Sequence, residues 1–123
     1  LMRPNRSFMD RHLKAHIYDI SSAVDEIQSF FDQVPRRFDE YSKNMMLRRA
    51  IERNVGIIGE AVNKIIKNNP EIEISNARAI IATRNRVIHD YAAVTDDVMW
   101  KIVINDLPKL KAEIETLMAE ETQ

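Results

Sequence analysis

The 123-residue chain contains no cysteine, which excludes a disulfide framework and any thiolate metal site and suits a reducing cytosol. With only two glycines and four prolines it has the make-up of an ordinary folded protein rather than a disordered tail. Charge of one sign is lacking too: the formal net charge is -1, so no global basic field marks the chain as a nucleic-acid binder. Any anionic substrate must then be held by a local cluster of Arg and Lys. No apolar run approaches the roughly 18 to 20 residues needed to span a bilayer, and no signal-peptide pattern opens the chain. The expectation is a cytoplasmic protein with no membrane partner. What is present is 45% hydrophobic and 30% charged residues, enough for one core and one domain over residues 1–123.

Two long apolar stripes dominate the pattern. Leu13, Ile17, Ile20, Val24, Ile27 and Phe31 recur at alternating spacings of four and three, which predicts an amphipathic helix over about residues 8–32, stopped at Val34-Pro35 and the polar segment RRFDEYSKN. Leu47, Ile51, Val55, Ile58, Val62 and Ile65 predict a second, ending at Asn68-Asn69-Pro70. Two such helices with a short connection pack antiparallel. Ser75 is the expected N-cap of a third helix, and Thr95 or Asp96 of a fourth carrying Val98, Trp100, Ile102, Val103 and Leu107. Pro108 should kink or split the last helix, with Asp106 capping its final part. The alternations EIEI and KIVI are too short to build a sheet. The fold class is therefore all-α, an up-and-down bundle of four to five helices.

Gly56 and Gly59 sit three apart inside the second helix, each costing about 1 kcal/mol relative to alanine. Simple helix packing is one explanation. The sharper one is that this strip faces the third helix and that Glu60 holds one of its arginines.

The candidate is in TRNRVIHDYAAV, Thr83 to Val94. Steps of 100° per residue place Arg84 within about 60° of Ala77, Ile80, Ile81, Val87, Ile88 and Tyr91, the centre of an apolar arc where an unpaired charge is costly. On an unbroken helix His89 projects about 140° away, on the side of Asn85 and Arg78. Arg84 can reach around past Asn85, the helix can end near His89, or a second copy of the chain can complete the site, the arc then being partly an interface. A histidine that titrates near neutrality and a planar arginine fork suit attack on a phosphodiester. With RNA the 2′-hydroxyl can be the nucleophile, so no metal or other cofactor is needed. On spacing alone, ion pairs and capping histidines are commoner than catalysts.

Arg84-Asn85-Arg86-Val87-Ile88-His89-Asp90-Tyr91 resembles the R-x-x-x-x-H-x-Y signature of HEPN-domain toxins of the HepT type. Ile57-Ile58-Gly59-Glu60-Ala61-Val62 is similar to that family's IGEAV segment, and Trp100 with Asp106-Leu107-Pro108-Lys109-Leu110 to its C-terminal elements, so the likeness runs in order over roughly residues 45–115. The resemblance implies a HEPN-like bundle acting as a metal-independent endoribonuclease toxin of a bacterial type II toxin–antitoxin system. It implies a homodimer, or a higher assembly of dimers, whose cleft takes an RNA substrate. Arg84 and His89 are carried over as catalytic, with Asn85, Arg86 and Glu60 as supporting or phosphate-contacting residues. It further implies a minimal nucleotidyltransferase antitoxin that transfers AMP from ATP to Tyr91, adding negative charge and bulk beside His89. Asp90 stands where many members of the family have glycine, an acidic side chain beside a site for a polyanion.

Two other functions are compatible with the same bundle. One is a non-catalytic HEPN module that grips a nucleotide or a partner; the other is a purely structural homodimer, which leaves Arg84 and the helix glycines without a reason. His12 and His16, at i and i+4 with Asp19 beyond, are expected at the solvent edge of the first helix rather than on a metal. Arg36-Arg37 and Arg48-Arg49 are expected on solvated faces or at an RNA-binding rim.

Overall fold

A computed structural model of the chain describes residues 10–89 and 95–121, with the backbone alone at positions 88 and 89. Its elements are α1 (Arg11–Phe30), α2 (Phe38–Lys43), α3 (Met45–Asn68), α4 (Ala77–His89), α5 (Asp96–Lys101), a π-helical turn (Ile102–Asp106) and α6 (Leu107–Glu121), with no strand among the described residues. The two stripes read from the sequence become the spine of the bundle. Leu13, Ile17, Ile20, Val24 and Ile27 of α1 are buried against Ile51, Val55, Ile58, Val62 and Ile65 of α3. Each helix opens on a side-chain cap: Asp10 accepts from the Leu13 N–H at 2.8 Å, and Asn44 from the Leu47 N–H at 3.0 Å. The two run antiparallel, since Phe30 lies beside Leu47 and Ala50 at one end while His16 lies beside Glu60 and Lys64 at the other.

The polar segment after α1 is not a simple connector. Six of its residues form α2, which buries Tyr41 completely. The Tyr41 ring lies 5.3 Å from that of Trp100, and Phe31 meets Trp100 edge-on at 5.8 Å, so this corner is closed by aromatic contacts rather than by a periodic stripe. Burial pushes the Tyr41 hydroxyl well above its ordinary pKa, and the group has no hydrogen-bond partner. Arg48, expected on a solvated face, instead bridges α3 to α5 through Asp96 at 3.0 Å with only 27% of its side chain exposed. The packing of α5 across the start of α3 brings the carboxylate to it, which no local pattern announces.

α4 begins one residue later than a Ser75 cap requires. Asn76 adopts a left-handed backbone with φ of 58°, a conformation that asparagine tolerates better than most residues. Its carbonyl accepts from the Ile80 N–H at 3.0 Å, starting the helix. Ser75 is thereby turned away from the cap position, and its hydroxyl donates to Glu113 of α6 at 2.6 Å. Asn76 in turn donates from Nδ2 to Asp106 at 2.7 Å.

The last helix is split beside Pro108, as expected, but by widening rather than by breaking. The Leu107 N–H bonds the carbonyl of Ile102, five residues back. A proline has no N–H to give and its ring crowds the carbonyl four residues earlier, so a wider turn just ahead of it keeps the rod continuous. Asp106 therefore caps nothing: it is 3% exposed and bound to Asn76.

Candidate active-site groove

α3 packs against α1 on one side and α4 on the other, and an open groove of about 480 Å³ runs along it. Its floor is one strip of α3 containing Glu52, Arg53, Gly56, Glu60 and Lys64; α1 contributes His16 and Asp19, and α4 contributes Arg84 and Val87. The strip follows from helix periodicity, because positions 52, 53, 56, 60 and 64 share one face beside the buried stripe.

The two helix glycines separate into different roles. A Cβ on Gly59 would overlap Arg84 Cβ and lie 2.9 Å from Arg84 Cγ and 3.3 Å from the Ile80 carbonyl oxygen. Gly59 is what lets the two backbones approach at the level of Arg84. A Cβ on Gly56 would meet nothing within 4 Å. Packing among the described residues gives Gly56 no reason, and it leaves the groove floor bare.

Arg84 is anchored as the glycine strip suggested. Its Nη2 pairs with Glu60, its Nη1 donates to Asn85 Oδ1 at 2.8 Å, and the buried Nε has no partner. Glu60 also holds Lys64 at 3.4 Å. With 21% of the side chain exposed, the guanidinium is sheltered but still reachable from the groove. A charge at the centre of an apolar arc is tolerable where the arc is not sealed: among its described side chains Ile80 is fully buried, while Ala77, Ile81 and Val87 are packed but partly exposed. The link to Asn85 ties the guanidinium to the next residue of the same helix. α4 runs Ala77–His89, so residues 84 and 89 share one helix.

Arg86 is exposed and does not line the groove. The His89 side chain, Asp90 and Tyr91 lie outside the described residues. The groove also contains a residue that the sequence alone did not assign to the site. His16, expected at a solvent edge, is half-buried on the groove wall, whereas His12 one turn earlier is exposed and outside it. The i, i+4 spacing marks both equally; only the lie of α1 on α3 distinguishes them. On the floor, burial raises the Glu52 carboxyl above its usual range, against the opposing pull of Arg49 and Arg48. No group of three His, Asp or Glu side chains able to hold a metal ion occurs among the described residues.

An all-α bundle with an arginine held on the wall of a groove, in an R-x-x-x-x-H helix, defines a HEPN-type protein. The family model described as ribonuclease HepT-like matches residues 20–117, and the chain belongs to that family. It is similar to "Putative RNase MJ1380" of Methanocaldococcus jannaschii, 34% identical over 107 residues, covering 85% of this chain and 95% of that protein. It is also similar to "Probable ribonuclease HepT" of Thermococcus cleftensis, 32% identical over 113 residues, covering 89% and 98%, and to "Putative RNase TTE0752" of Caldanaerobacter subterraneus, 28% identical over 85 residues, covering 68% and 76%. No solved structure matches the chain.

Proposed function

We propose that the chain is a metal-independent endoribonuclease, the toxin of a type II toxin–antitoxin pair. The observation that carries this is Arg84, held by Glu60 and Asn85 with its guanidinium on an open groove, in a helix that continues to His89. The naming of the relatives as RNases supports the substrate class. His89 acts as general base on the ribose 2′-hydroxyl; the 2′-oxygen bonds to phosphorus, the bond from phosphorus to the 5′-oxygen breaks, and the leaving oxygen takes up a proton. Arg84 neutralises the negative charge that builds on the phosphate oxygens, and Asn85 keeps the guanidinium turned toward that site. The unit of activity is a homodimer. It is supported by the partly exposed apolar residues Ile81 and Val87 beside Arg84, a face suited to a second copy.

Purified protein is expected to cleave single-stranded RNA in the presence of EDTA, and His89→Ala to lose at least about a hundredfold in rate, the share of a general base. Undiminished cleavage by a well-folded His89→Ala protein would remove His89 from the mechanism. Control by adenylylation belongs to the same proposal: a minimal nucleotidyltransferase partner transfers AMP from ATP to the Tyr91 hydroxyl, with pyrophosphate leaving. Intact-mass measurement after incubation with that partner and ATP should show added adenylyl groups, absent in Tyr91→Phe; equal labelling of both proteins would place the modification elsewhere.

A further inference from the structure

We propose that His16 is an RNA phosphate-binding residue of the groove, contacting the strand from the α1 wall opposite Arg84. The proposal rests on the ribonuclease assignment for its substrate and adds a residue from outside the signature helix.

Three observations support it. His16 is half-buried on the wall of the groove that holds Arg84, so its imidazole faces the space a strand must occupy to reach the guanidinium. The floor between the two walls is stripped to the backbone at Gly56, where even a Cβ would touch nothing within 4 Å, leaving room for a chain to lie between His16 and Arg84. The charges are balanced. Arg53, Lys64 and Arg84 face Asp19, Glu52 and Glu60. Asp19 lies on α1 itself, Arg84 on α4, and the other four on α3. Glu60 is already engaged by both Arg84 and Lys64. Among the described lining residues the net charge is zero with His16 neutral and positive with His16 protonated. An imidazole is the side chain whose ordinary pKa places that change between pH 5 and 8. For a chain with a formal charge of -1, a local change of one unit decides whether the groove attracts a polyanion.

His16 thus makes RNA capture proton-linked. A phosphate oxygen accepts a hydrogen bond from the protonated ring, so affinity is highest below the imidazole pKa and falls as pH rises through it.

The test uses the full chain carrying His89→Ala, so that binding is read without cleavage and without the titration of that second imidazole. Affinity for a short single-stranded RNA is measured from pH 6 to pH 8 at fixed salt. The parent should weaken about tenfold across that range, as one linked proton dictates. Adding His16→Ala should reduce the change to less than twofold, and His16→Arg should bind tightly at both ends. Adding His12→Ala should leave the slope intact. Equal pH slopes with and without His16→Ala, in proteins of equal helicity, overturn the assignment, and so does an equal loss of slope in His12→Ala. Cleavage by the wild type in a separate assay keeps the two claims apart. A wild type that cuts RNA while His16→Ala binds normally disproves only this inference. His16-dependent binding by a wild type that cuts nothing disproves only the nuclease assignment, and absence of RNA binding by the parent disproves this one.

Discussion

Gly59→Ala is expected to lower the melting temperature by about 4–8 °C and to abolish most RNA cleavage, whereas Gly56→Ala, one helical turn away, should melt at or above the wild type. The added methyl at position 59 collides with Arg84 Cβ and crowds the Ile80 carbonyl oxygen at 3.3 Å. Neither atom can swing aside: a Cβ is fixed to its backbone and the carbonyl is part of α4. The helix must therefore move away from α3. Overpacking of this kind costs about 1–3 kcal/mol, which exceeds the gain of about 1 kcal/mol from replacing a helical glycine. The same movement separates Arg84 from Glu60, so activity falls with stability. At Gly56 the gain stands alone because nothing opposes the methyl. Thermal melts of the two variants followed by circular dichroism decide the matter. Equal melting temperatures would mean that α4 does not ride directly on Gly59.

Arg84→Ala should lose on the order of a hundred- to a thousandfold in kcat while melting within about 1 kcal/mol of the wild type. The stability effect is small because the Arg84–Glu60 pair is partly solvated, at 21% and 40% side-chain exposure, and Glu60 keeps Lys64 when the arginine is gone. The rate effect is large because a charge that meets the phosphate as it becomes more negative acts in the transition state more than in the bound substrate. Arg84→Lys should not rescue it. An ammonium is one point of charge, whereas this guanidinium spans Glu60 and Asn85 with separate nitrogens and still has N–H groups to offer a phosphate. Steady-state rates on a defined RNA are the measurement. A lysine variant with near-normal kcat would show that only net positive charge is needed at position 84.

The legible parts of this molecule were those that repeat at short range. The α1 and α3 stripes recur every three or four residues, so each helix declares its buried face, and Gly59 next to Glu60 pointed correctly to an arginine on the facing helix, whereas Gly56 did not. The parts that could not be read depend on residues distant in the chain. α2 holds a single buried side chain, Tyr41, which no period can reveal, and its place is set by Trp100. The left-handed Asn76 is held by Asp106, and Ser75 by Glu113. His12 and His16 have the same local credentials, and only the lie of α1 on α3 sends one into the groove. Recognition of the family needed none of this, because its signature is contiguous; the rest of the groove is assembled from three helices.

The fastening of Ser75 and Asn76 to the last helix gives α4 a pivot. That end is tied by hydrogen bonds to Glu113 and Asp106, whereas along its length the helix rests on α3 through the bare surface of Gly59. At 1.5 Å per residue, position 84 lies about 12 Å from the pivot and position 89 about 20 Å. A tilt of about 5° then displaces the first by about 1 Å and the second by nearly 2 Å. α4 is a lever with its long arm at the end that carries His89, so any push against that end moves residue 89 further than it moves Arg84.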